Sequence, residues 1–117
     1  MTSLRRLDVN ESANITVVRF KDSKIIDPES IQELGQELFD LLEGQDRRKI
    51  VLNFANVEFL SSAALGKLIA FERKIKQHGA ELILTDISAE IFPVFTITGL
   101  DKLFRIMDRE VDALAVM

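Results

Sequence analysis

The chain contains no cysteine, no tryptophan and no tyrosine. Without thiols there is no disulfide scaffold, no iron–sulfur cluster and no cysteine nucleophile. All aromatic area falls to eight Phe, which have no polar group with which to orient a sugar or a base. The one histidine, His78, cannot assemble a histidine-rich zinc site, so no metal and no cofactor is expected. With five glycines and neither a GxxxxGK nor a GxGxxG run, no loop is built to cradle phosphates. No apolar run approaches about 18 residues, and Met1 to Asn10 lacks the apolar core of a signal peptide. Membrane insertion is therefore not expected, and a cytoplasmic location is. Positive charge is also short: 15 Lys and Arg face 19 Asp and Glu, a net of -4 that argues against a direct nucleic-acid role.

What is present suits one α/β domain. A length of 117 residues and a hydrophobic content of 47% can fill a single core. Short apolar runs alternate with amphipathic ones, which predicts a mixed sheet of four or five strands packed with about four helices, on one face or both. Strands are expected within Leu4 to Val9 and at Ile15 to Phe20, joined across Asn10 to Asn14 as a hairpin. Asp27 and Pro28 open a first helix, whose stripe is Ile31, Leu34, Leu38, Leu41 and Leu42, with Gly44 as its left-handed C-cap. Ile50 to Leu52 is a continuous apolar run, as in a strand covered on both faces. A second helix starts near Ser61 or Ser62 and runs to Gln77, stopped by Gly79. Glu81 to Thr85 is the next strand. Ser88 to Ile97 reads as a shorter helix that Pro93 kinks or delays, closed by Gly99 with Leu100 as an apolar clasp. Leu103 to Met107 forms a last strand, and Asp108 caps a terminal helix with Val111 and Leu114 facing inward.

The leading functional candidates are Ser61 and Ser62, where a loop enters a helix. Free backbone N–H groups and the positive end of the helix dipole tolerate a phosphate there; one serine serving simply as N-cap is the plainer alternative. A serine nucleophile is a poor reading, because His78 lies at the far end of the same helix, about 24 Å away. Asp27, Asn53 and Asp86 fall near carboxyl ends of strands, where they could meet a cation or equally serve as turn and capping residues. Phe92, Phe95, Ile97 and Leu100 surround the third helix; most should be core, and Phe92 or Val94 would form an interaction patch if left outward.

The succession ITVVRF, KIIDPESIQELGQEL, KIVLNFANVEFLSSAALGKLIAFERKIKQHGAELILTDIS and ITGLDKLFRI resembles the STAS domain family, which includes the anti-sigma factor antagonists. The resemblance covers residues 7 to 116 and implies one STAS domain over 1–117 that binds partners and is not an enzyme. It further implies capture of an anti-sigma factor with serine kinase activity, or of another kinase-like or ATPase protein, with phosphorylation as an off-switch and a phosphatase to reset it. The family's stretch there reads Asp-Ser-Ser-Gly or Asp-Ser-Thr-Gly; here Leu60, Ser61, Ser62 and Ala63 align with it. Ser62 thus matches the phosphorylated serine, with Ser61 second. Asp27 matches an acidic residue ahead of the first helix, and Asn53 stands where an aspartate often ends the central strand. Asp27, Asn53, Leu60, Ser61, Ser62 and Ala63 are the partner-binding residues so implied. The alternative is an unphosphorylated structural or accessory module of a stress-signalling assembly or a transporter ATPase complex.

Overall fold

The computed structural model describes residues 2–117. Thr2–Ser3 (β1), Leu7–Ser12 (β2) and Ile15–Phe20 (β3) run antiparallel in succession. The β2–β3 turn is tighter than the polar run Asn10 to Asn14 suggests. Ser12 pairs with Ile15, so only Ala13 and Asn14, at φ 49° and 71°, form the loop. Two successive positive φ values suit the twist of a hairpin, and they let Asn10 to Ser12 remain in β2 with exposed polar side chains.

The chain continues through Lys24–Ile25 (β4), Pro28–Phe39 (α1), Lys49–Asn53 (β5), Phe59–Leu60 (β6) and Ser62–Gln77 (α2). Glu81–Thr85 (β7), Phe92–Ile97 (α3), Leu100–Leu103 (α4), Arg105–Met107 (β8) and Glu110–Val116 (α5) complete it. The main sheet has the order β1-β2-β3-β5-β7-β8, with β3, β5, β7 and β8 parallel to one another. Its sixth strand is the two-residue β1, too short to carry a periodic signal. Strands β4 and β6 form a separate parallel pair.

Strand alternation divides the core. Val18, Phe20, Ile50, Leu52, Leu82 and Leu84 face α1 and α2, while Ile15, Val17, Val51 and Ile83 face α5. The helices therefore lie on both faces, very unequally. Along the main core runs a line of phenylalanines: Phe20 to Phe54 at 4.8 Å between centroids, Phe54 to Phe95 at 6.2 Å, and Phe95 to Phe104 at 6.2 Å. Among the described residues no helix is long and apolar enough to cross a membrane.

Several local expectations are corrected. Gly44 is not a left-handed cap: α1 passes into a π turn over Asp40–Gly44, and the positive φ falls on Asp46 at 56°. The wider turn keeps the adjacent Leu41 and Leu42 both buried. Helix α3 begins at Phe92 rather than Ser88, with Pro93 in its first turn, where a missing N–H costs nothing. Gly99, at φ 77°, does close that element, and the short α4 follows before β8 starts at Arg105. Asp108 does not cap α5. Its carbonyl accepts from the Asp86 N–H at 3.1 Å, which brings the Asp86 carboxylate to the helix start, where Oδ2 accepts from the Glu110 N–H at 3.0 Å. A helix beginning at Glu110 turns Ala113 and Leu114 inward and leaves Val111 58% exposed.

One polar side chain sits badly in this packing. Glu72, on α2, is 7% exposed, and burial pushes its carboxyl above the ordinary glutamate value, with Lys76 opposing the rise. A raised folded-state pKa means that the unfolded chain ionises first. The resulting destabilisation is absent below the ordinary value, grows as pH climbs to the raised value, and is constant above it. Glu72→Gln is therefore expected to raise Tm more at pH 7 than at pH 4. An equal effect at both, measured by thermal melts, would remove burial of the charge as the cause.

Candidate functional site

The starts of the two long helices are stitched together by the small β4–β6 pair. Lys24 pairs with Phe59 and Ile25 with Leu60; the Glu58 N–H donates to the Ser23 carbonyl at 2.6 Å, and the Ser61 N–H to the Ile25 carbonyl at 3.1 Å. Asn56 fixes the same loop from below, its Nδ2 donating to the Phe20 and Lys21 carbonyls at 3.1 and 2.9 Å. Ile25 and Leu60 point into the core, so their neighbours Ile26 and Phe59 point out, at 49% and 50% exposure. A short pair of strands thus places two apolar side chains beside two helix N-termini.

The two serines have different tasks. Ser61 is the N-cap of α2: its φ and ψ are extended, and Oγ accepts from the Ala64 N–H at 3.2 Å. Ser62 is the first helical residue. It is exposed, and its hydroxyl makes no hydrogen bond within the described residues. The N-cap reading and the modification reading are both satisfied, by different residues. Donors to a negative charge are supplied by the remaining free N–H groups at the start of a sixteen-residue helix, with no acidic residue in its first turn.

Beside Ser62 a shallow groove of about 350 Å³ separates α1 from α2, lined by Pro28, Ile31, Gln32, Ala63, Gly66, Lys67 and Ala70. The helices approach closely because the Lys67 stem lies across Gly35, where a Cβ would collide with it. Asp27 caps α1 at the mouth of this groove: Oδ2 accepts from the Ser30 N–H at 3.0 Å and from the Ser30 hydroxyl at 3.1 Å. Asp27, Ser61, Ser62 and Ala63 therefore come together at one end of the domain, with Leu60 buried behind them as their anchor.

Asn53 does not join them. It is 5% exposed and turned to the α5 face, where Oδ1 accepts from the Ala55 N–H at 2.8 Å and Nδ2 donates to Glu110 Oε1 at 2.8 Å. Asp86 is engaged on the same face as the α5 cap, so Asn53 and Asp86 share Glu110 as a partner, while Asp27 is held apart from them by Ser30. His78 ends α2, with Nδ1 against the Lys74 carbonyl at 2.9 Å and its own carbonyl held by Arg48. Around α3, Phe95 is fully buried while Phe92 and Ile97 are 38% and 85% exposed. Sequence reasoning passed over Ile26, Phe59 and Asn56. The signal was faint: Ile25-Ile26 and Phe59-Leu60 are paired apolar residues in polar loops, too short to show a period of two.

The carboxyl edge of the mixed sheet thus presents an unbonded serine, two exposed apolar side chains and a groove between two helices. The chain belongs to the STAS domain family, which matches residues 6–113. Over 93% of its length it is 23% identical to the anti-sigma F factor antagonist of Paenibacillus polymyxa, of which it covers 92%. Two solved structures share the fold. An anti-sigma-factor antagonist domain protein from Planctomyces limnophilus superposes with a TM-score of 0.83 at 19% identity, over 97% of this chain and 98% of that one. The Bacillus cell fate determinant SpoIIAA in its phosphorylated form gives 0.71 at 17% identity, over 95% and 99%.

Proposed function

We propose that this chain is a cytoplasmic anti-sigma factor antagonist that binds an anti-sigma factor with serine kinase activity and is switched off by phosphorylation at Ser62. The observation that carries the reading is the placement of Ser62: exposed, unbonded, at the first position of α2, between Ile26, Phe59 and the α1–α2 groove. Unmodified, this surface is apolar and small enough to be covered by a partner. The kinase moves the γ-phosphoryl group of ATP to the Ser62 oxygen and releases ADP. The product carries about two negative charges, which the helix N-terminus accommodates in the free domain and a closed interface does not. A phosphatase restores the hydroxyl. That a relative of the same fold has been solved in a phosphorylated form supports this reading.

Incubation with the cognate anti-sigma factor and ATP is expected to add one phosphate, mapped to Ser62 by peptide mass analysis and abolished in Ser62→Ala but not in Ser61→Ala. Phosphate on Ser61, or none at all, overturns the switch. A second reading, an unphosphorylated accessory module of a larger assembly or a transporter ATPase complex, draws on Leu60 and Ala63. Here they replace the family's acidic residue and glycine beside the serine. It predicts a stable, phosphate-free complex of fixed stoichiometry.

A further inference from the structure

Helix α5 is fastened mainly by its first residue. Glu110 Oε1 accepts from Arg19 Nη2 at 3.0 Å and from Asn53 Nδ2 at 2.8 Å, while the Glu110 N–H donates to Asp86 Oδ2 at 3.0 Å. Beyond that residue the grip is slight. The helix has seven residues; Ala113 is buried, Leu114 and Met117 are partly so, and Lys49 Nζ donates to the Met117 carbonyl at 2.6 Å. A helix of this length has no stability of its own, and the Arg19 side chain is 56% exposed, so its ion pair adds little.

The surface underneath is mostly apolar, with Ile15, Val17, Val51 and Ile83 favouring closure, but one group in it works the other way. Thr85 lies on the α5 side of β7, in step with Ile83, and its Oγ1 is buried with no hydrogen-bond partner among the described residues. Closing α5 keeps that hydroxyl from water; opening hydrates it. Asn53, meanwhile, holds two things at once: Nδ2 grips Glu110, and Oδ1 grips the Ala55 N–H at the start of the loop that leads to Phe59 and Ser62. It is a positioning residue that clips the docking loop to the helix behind the sheet.

We propose that α5 is a strap that opens on its own, well below the free energy of global unfolding, and that Asn53 couples its closure to the loop leading to Ser62. The strap stands whether or not Ser62 is ever phosphorylated. Native-state amide exchange of the full chain tests it. The amides of Leu114 to Met117 are expected to exchange far faster than those of Ile50 to Leu52. Glu110→Ala should accelerate the strap amides about tenfold and, through Asn53, the Ala55 amide as well, with the β5 amides unchanged. Thr85→Val should slow the strap amides, because the closed state then hides no hydroxyl. Exchange of α5 at the β5 rate overturns the strap. A Glu110→Ala variant that loosens α5 but leaves Ala55 unchanged overturns the coupling.

Discussion

Ser62→Asp is expected to lose at least about tenfold in affinity for the anti-sigma partner, while Ser62→Ala binds nearly as the parent does. The aspartate brings an unpaired charge into a surface bounded by Ile26 and Phe59, and burying such a charge costs on the order of 2–5 kcal/mol. The same substitution should not harm the fold. A carboxylate at the first position of α2 faces the positive end of the helix dipole, worth about 0.3–1 kcal/mol in its favour. Binding and stability should therefore move in opposite directions. Calorimetric titration beside thermal melts separates the two, and equal affinity of the aspartate and alanine variants would remove Ser62 from the interface. Aspartate carries half the charge of a phosphate, so the phosphorylated domain should bind more weakly still.

Phe54→Ala should be the most damaging single change to stability, at about 3–5 kcal/mol. Its ring is fully buried and touches both Phe20 and Phe95, so its loss opens a cavity at the junction of β3, β5 and α3. Its N–H also extends the β5–β7 ladder, donating to the Thr85 carbonyl at 2.9 Å. With total stability on the order of 5–15 kcal/mol, Tm should fall by roughly 12–20 °C. Phe59→Ala, five residues on, is the matched control. That ring is half exposed, so stability should change by no more than about 0.5 kcal/mol while partner affinity drops. A small shift for Phe54→Ala would mean that the phenylalanine line does not hold the sheet edge together.

The elements that set the fold were legible because their signals are long. The stripe from Ile31 to Leu42 spans three turns, and Ile50 to Leu52 is apolar without interruption, so helix and central strand were read where they occur. Asp27 with Pro28, and Gly79 and Gly99, marked boundaries through residue chemistry that acts locally. Illegible features depend on tertiary partners. Asp86 outcompetes Asp108 as the α5 cap only because the two segments pair through the Asp86 N–H. The family pattern places Asn53 among the partner-binding residues, while the sheet's alternation turns its side chain to the α5 face, where it bonds Glu110. Of the candidate site, the serine pair and Asp27 were visible as helix starts. Ile26 and Phe59 were not, since the β4–β6 pairing that exposes them joins residues 35 positions apart at Lys24 and Phe59.

The two rims of the main sheet bear on how the protein behaves when crowded. One is a two-residue strand that pairs only with Asp8 and Val9, leaving the polar Asn10, Glu11 and Ser12 as the remaining outer backbone; the other is the three-residue β8, with Arg105 exposed. An incoming β-strand from another chain finds a short template on either side, polar along Asn10 to Ser12 and carrying the charge of Arg105 at the other rim. Such templates oppose strand-by-strand polymerisation, the ordinary hazard of an open sheet.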